Sequence, residues 1–304
     1  MPVRVIGVWE TVGALGTPRI GWLEKLGIQS SATKRTEFYD THLSDCTENA
    51  FQALALDEHR AAFSPTLWEK MPGNKTRLRQ VWFPGVHSNV GGGEPDQELA
   101  NITLAWMVSQ CRDFLDIDLD YVLDEQEKTE AYYEKHNQRP RPWSFGKIYN
   151  SMTGIYVLGG ERTRKPGRYY VIDPQDGRET DEPLRDTHEY IHPCVRTRMK
   201  LEGPGYNDHG TYDPRALRDW KLVIHPGEND SHGRQGKHDI YWQLTTKEKN
   251  VTSRILPESP LWPLERELLE MYANDEVVDY TLDPPISARA KGKGRANRSH
   301  SRRP

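Results

Sequence analysis

The chain opens on a short, mostly apolar and β-branched run, Val3-Arg4-Val5-Ile6-Gly7-Val8-Trp9. Runs of this kind mark strands buried in a parallel sheet, where both faces are covered. A second run, Leu78 to Phe83 (LRQVWF), stops at Pro84-Gly85 and predicts another strand. Between them, Asp45 to His59 (DCTENAFQALALDEH) spaces Ala50, Leu54 and Leu56-Asp57 close to the 3.6-residue period, with acidic residues outward. That spacing predicts a helix. Asp96 is placed to cap a further helix running to about Leu115, with Leu99, Ile102 and Trp106 on its apolar face and Leu104, Met107 and Cys111 offset. Strand, helix, strand, helix is the rhythm of an α/β sheet.

From Asp116 onward the periodicity weakens. Residues 124–142 are strongly charged and end in Arg-Pro-Arg-Pro, and residues 143–213 repeat Gly, Pro and Tyr. Leu217 to Val223 and His238 to Leu244 predict short strands, and Pro263 to Tyr272 a short helix. Residues 284–304 hold Pro, Gly, Ser and basic side chains, a composition that predicts disorder. The pattern thus divides the chain into an α/β part (1–115), an irregular accessory or lid region of the same domain (116–283) and a basic tail (284–304).

Composition adjusts this picture. Mean hydropathy is -0.83 and 35% of residues are hydrophobic, a thin core for this length. Nine Trp and fourteen Tyr argue against general disorder. The formal charge is -4, yet seven basic residues stand between Arg289 and Pro304 with no acidic ones, which leaves -11 on the remainder. A net-acidic body has no global attraction for nucleic acid, so no specific nucleic-acid partner is expected. Cys46, Cys111 and Cys194 are odd in number and far apart, which fits neither a disulfide framework nor a CxxC metal knuckle. With no signal-peptide pattern after Met1 and no membrane-length apolar stretch, the expected location is cytoplasmic.

Two segments carry candidate chemistry. Gly7 to Gly13 (GVWETVG) places Glu10 at the carboxyl end of a buried strand. Val81 to Gly93 (VWFPGVHSNVGGG) places His87 just past another, in a glycine-rich loop leading to a helix. Sites in open parallel sheets form beyond the carboxyl ends of the strands. Acid then histidine, each after its own strand, matches the last two members of the α/β-hydrolase order of nucleophile, acid and histidine. A histidine can take a proton from a serine and return it to the leaving group, and a carboxylate can hold the ring tautomer that this requires. Glu10 alone would more often be a turn-capping carboxylate and His87 alone a structural histidine; the surrounding strings favour the pair.

Those strings resemble the type VI secretion phospholipase effector family of α/β hydrolases. Leu43 to Pro65, Thr66-Leu67-Trp68 and Leu99 to Gln110 fit the same family, so the resemblance is dense from about Val3 to Leu115 and looser through His192-Pro193-Cys194-Val195-Arg196 and Tyr212-Asp213. It implies a Ser-acid-His triad, lipase or esterase activity and a lipid or other ester substrate, with Glu10 as acid and His87 as base. The family usually has Asp at the acid position. The serine of the family lies in a Gly-x-Ser-x-Gly elbow upstream of the acid, and no such pattern stands anywhere in these 304 residues; Ser44, Ser64, Ser88, Ser109 and Ser151 all lack the flanking glycines.

The resulting expectation is a partial α/β-hydrolase-like parallel sheet lacking its N-terminal strands, a truncated or inactive hydrolase completed by a missing N-terminal half. The alternative is a non-catalytic binding protein derived from a hydrolase. No cofactor or metal is expected. His192 and Cys194 read as structural, and His225, His232 and His238 as solvated. Ser88, Asn89 and Thr11 are expected to orient loops through side-chain bonds to backbone. Trp82 and Trp106 are expected in the core.

Overall fold

Ile6–Trp9 forms β1, the strand its apolar run predicts, but half-exposed at the end of the sheet rather than buried on both faces, since among the described residues only β2 pairs with it. The computed structural model describes residues 2–12, 41–173, 178–227 and 238–285. Gly13, Gly16, Pro18, His232 and the basic tail from residue 286 lie outside the described residues.

The expected helix over 45–59 is instead a strand, β2 (Asn49–Ala55), with every residue buried. Ala50-Phe51 and Ala53-Leu54-Ala55-Leu56 make an apolar run that fits either period. Tertiary context decides between them. The run lies between β1 and β3 (Arg77–Phe83), parallel to both, and both its faces are covered. A helix would turn part of this run toward water. Even Gln52 is fully buried there, its amide donating to the Thr66 carbonyl at 3.1 Å.

A fourth strand, β6 (Glu189–Ile191), pairs in parallel with β3 and completes the order β1-β2-β3-β6. It comes from the region read as accessory. The molecule is therefore mixed α/β, with a four-stranded parallel sheet and six helices among the described residues. His87–Gly91 forms α1, Glu98–Cys111 α2, Asp120–Lys135 α3, Pro193–Lys200 α4, Pro263–Tyr272 α5 and Asp275–Leu282 α6. Two further small sheets are antiparallel. One pairs β4 (Tyr170–Ile172) with β5 (Glu179–Pro183); the other is built of β7 (Trp220–His225), β8 (Asp239–Leu244) and β9 (Ile255–Pro257). The strands expected near 217–223 and 238–244 are β7 and β8, and the helix expected at 263–272 is α5.

The core sits between the sheet and α2. Trp106 on α2 meets Phe51 of β2 and Phe83 of β3 edge-on, with ring centroids 6.4 and 5.6 Å apart. Trp82 and Trp106 are fully buried. Gly7 lets α2 lie this close to β1, since a Cβ there would stand 2.7 Å from the Met107 sulfur.

The charged stretch from residue 124 gave no apolar signal, yet most of it belongs to α3. The reason is that, beyond Val122 against Ala105 and Val108, α3 docks on α2 through polar groups. Asn101 donates to Gln126 and Thr129, both at 2.9 Å, and Gln126 donates to Glu98 Oε2 at 2.9 Å. Burial pushes the Glu98 carboxyl up to about 8, against the opposing bond from Gln126.

Candidate active site

The carboxyl ends of β1, β2 and β3 place Glu10, Asp57-Glu58 and His87 along one edge of the sheet. Glu10 follows β1 with a left-handed backbone, φ 49°, which is rare outside glycine and turns the chain sharply off the strand. Its backbone N–H still reaches the Ala53 carbonyl at 2.9 Å. The carboxylate folds back over β2, where Oε1 accepts the Ala55 N–H at 2.6 Å.

His87 follows β3 after the turn Pro84-Gly85-Val86. It does not lie in a loop, as expected, but is the first residue of α1, a single helical turn. Gly85 makes this turn possible. Its φ is +110°, and a Cβ would fall 2.6 Å from the Asn89 Cβ. The Asn89 Oδ1 accepts the Val86 N–H at 3.2 Å, and its amide donates to the Lys147 carbonyl at 2.9 Å. Asn89 therefore orients the turn through backbone bonds, as expected. Ser88 differs, since its hydroxyl donates to the Glu94 carboxylate. Thr11 meets the neighbouring loop through its carbonyl, which accepts the Thr66 N–H at 2.8 Å.

The two sequence-predicted residues meet. His87 Nδ1 lies 3.1 Å from Glu10 Oε2. The Glu10 side chain is 1% exposed and that of His87 32%. Charge-assisted bonding of Nδ1 to a carboxylate favours the tautomer that leaves Nε2 as a proton acceptor. Phe63 packs edge-on against the imidazole, centroids 4.9 Å apart, and Tyr156 packs likewise on Phe63 at 5.6 Å. The serine hydroxyls bond elsewhere among the described residues: Ser64 to the Ala61 carbonyl, Ser109 to that of Ala105, Ser151 to Glu58, while Ser44 accepts the Cys46 N–H.

Three residues at this site escaped the sequence reading. Asp57 and Glu58 sit where the expected helix would have turned acidic groups outward. Both are buried instead, and both brace the histidine turn. Asp57 Oδ2 accepts the Gly85 N–H at 2.7 Å and the Tyr212 hydroxyl at 2.7 Å; Glu58 Oε2 accepts the His87 N–H at 3.2 Å. Burial pushes the Asp57 carboxyl up to about 6, resisted by the bonds from Gly85 and Tyr212. Burial also raises Glu58, but its bonds from Arg60 outweigh that and hold it below the usual carboxylate range. The third residue is Arg164, whose guanidinium donates to Glu10 Oε2 at 2.7 Å from 154 positions along the chain. Nothing in the local sequence signals that contact.

The other described histidines singled out in the sequence serve elsewhere. His192 and Cys194 are fully buried; His192 Nδ1 meets the Cys194 sulfur at 2.9 Å and Nε2 meets Glu265 Oε1 at 2.7 Å. Burial raises the Cys194 thiol well above its ordinary range. His225 contacts the Tyr241 hydroxyl at 3.0 Å, and His238, a largely buried side chain rather than a solvated one, pairs with Asp283 at 2.9 Å. Among the described residues no three or more His, Cys, Asp or Glu side chains group as a metal site. No described helix is long and apolar enough to cross a membrane.

Glu10 and His87 thus converge over β2 from the ends of β1 and β3, and open parallel sheets bind ligands beyond such carboxyl ends. Residues 1–110 match the family model of the T6SS phospholipase effector Tle1-like catalytic domain. The match runs from β1 almost to the end of α2 and includes both Glu10 and His87. The comparisons with curated proteins and with solved structures gave no match.

Proposed function

We propose that Glu10 and His87 are the acid and base of a serine-hydrolase triad whose substrate is a carboxylic ester, a phospholipid by the family that residues 1–110 match. The observation that carries this reading is the 3.1 Å contact between His87 Nδ1 and Glu10 Oε2, with the imidazole half-exposed and the carboxylate buried. In this role His87 Nε2 takes the proton of an attacking hydroxyl and returns it to the leaving alcohol. Glu10 stabilises the imidazolium formed in between. Glutamate fills the position usually held by aspartate because the chain bends away at Glu10. The longer side chain then folds back to the Ala55 N–H, which spends the extra methylene.

The sheet is read as part of an α/β-hydrolase sheet, with residues 116–283 as an accessory region of the same domain that also lends the sheet β6, and the last residues as a tail. The nucleophile and one oxyanion donor would come from a Gly-x-Ser-x-Gly elbow, a pattern these 304 residues do not contain. The chain by itself is therefore expected to be inactive. Purified and assayed with short-chain p-nitrophenyl esters, it should give no turnover above buffer. Turnover lost in His87→Ala would show that a nucleophile exists within the chain and would overturn that part of the reading. For the dyad, proton NMR should show a low-field Nδ1–H resonance absent from both His87→Ala and Glu10→Gln. Its survival in Glu10→Gln would remove Glu10 from the role. The missing elbow also favours a second reading, a lipid-binding protein derived from a hydrolase; vesicle binding unchanged by His87→Ala would support it.

A further inference from the structure

Glu10 Oε2 is shared by two donors, His87 Nδ1 at 3.1 Å and Arg164 Nη2 at 2.7 Å. The Arg164 and Glu10 side chains are 2% and 1% exposed, so water does little to screen the pair. Among the described residues Glu10 is the one carboxylate ion-paired with Arg164, and Arg164 Nη1 is buried with no partner there. Arg164 is also held in place from outside the dyad. The segment leading to it is pinned to the chain after β2: Ala61 N–H donates to the Gly160 carbonyl at 3.1 Å and Arg162 N–H to the His59 carbonyl at 2.8 Å.

We infer that Arg164 is a positioning residue of the Glu10–His87 pair, fixing the acid carboxylate toward the histidine while its charge opposes a second positive charge on the ring. The inference rests on the triad reading above and adds to it a residue from outside the matched family segment. The physical argument is electrostatic. In a two-member acid–histidine pair, the carboxylate's full negative charge favours imidazolium. Here a buried guanidinium already takes most of that charge, so protonating His87 leaves two cations on one carboxylate. Of the other charged groups around the ring, Glu58 is neutralised by a cation while Glu94 keeps its charge behind a neutral hydroxyl donor. Glu58 receives the His87 N–H but is bound through both oxygens by Arg60, and Glu94 is engaged by Ser88. Arg60 itself stacks over Phe63 at 3.6 Å and over Tyr156 at 4.8 Å. Arg164 is thus the cation aimed at the dyad, and a protonated ring would be a second cation on the same carboxylate oxygen.

The test is an NMR titration of the His87 ring in the full chain, which requires no turnover. Replacing Arg164 by Met should raise the proton affinity of the ring by about tenfold or more, and Arg164→Lys should restore most of the wild-type titration. Guanidinium ion added to Arg164→Ala should do the same in part. If Arg164→Met lowers stability but leaves the His87 titration where it was, Arg164 only fastens its segment to the sheet and the inference fails. If Met is too damaging to fold, Arg164→Lys and Arg164→Gln decide: equal titrations in both would overturn it. Failure of the triad reading looks different. In that case the ring still responds to Arg164→Met, but the low-field Nδ1–H resonance survives in Glu10→Gln.

Discussion

Two histidine–glutamate pairs stand after strands of the same sheet and have opposite fates. His87 and Glu10 follow β3 and β1, and His192 and Glu265 join the end of β6 to α5. The second pair is closer, 2.7 against 3.1 Å, and is buried completely. Both ring nitrogens of His192 are used, Nδ1 by Cys194 and Nε2 by Glu265, and Glu265 also accepts the Trp262 N–H that begins α5. His87 uses Nδ1 on the carboxylate, and its ring is half-exposed. Cysteine, histidine and glutamate in hydrogen-bond sequence look like nucleophile, base and acid, yet the buried set cannot meet a substrate. Access, not the identity or spacing of the residues, separates a candidate site from a structural staple.

The largest effect that tests this contrast is on stability. His192→Ala or Glu265→Ala leaves a fully buried polar partner stranded and should cost about 3–5 kcal/mol in urea unfolding. A cost below about 1 kcal/mol would mean the pair is not a staple. Next comes a buried carboxylate that is paired with no cation among the described residues. Glu98 is raised by burial to about 8. Its contribution is complete below the ordinary glutamate range and is lost as pH rises through about 8, because the unfolded chain ionises first. The unfolding free energy in urea should fall between pH 5 and 9, by on the order of 2 kcal/mol, and Glu98→Gln should flatten that slope. An unchanged slope would place the titrating group elsewhere, with Asp57, raised to about 6, the first alternative.

Smaller still, His87→Ala should change stability by no more than about 1 kcal/mol, since the ring is half-exposed and packs on one face. A loss as large as that of His192→Ala would make the two histidines equivalent and erase the contrast. The mildest probe is chemical. Cys46 is exposed, whereas Cys111 and Cys194 are buried. A thiol reagent should modify one cysteine quickly in the native protein and all three only in denaturant. Fast native reaction at Cys194 would show that its pocket opens.

Glu10 and His87 were legible because motif and strand end coincide in the sequence, and the apolar runs before them announce the strands. The 45–59 segment was misread because Ala, Leu and Phe at neighbouring positions satisfy two periods at once. With the strand goes the misreading of Asp57 and Glu58, which turn from solvent-facing helix residues into buried braces of the histidine turn. α3 was missed for the converse reason, since its buried face is Val122, Gln126, Thr129 and Tyr133, with one aliphatic side chain among them, and carries little apolar signal.

By itself the sequence determined the strands β1 and β3, the acid and histidine that follow them, and the absence of a serine elbow, because each is a local pattern of residue types. Tertiary structure alone decided that β2 is a strand, that β6 joins the sheet from beyond residue 116, and that Arg164 reaches Glu10. These depend on which surfaces are covered and which charges are brought together across more than a hundred residues of chain. No local period encodes that.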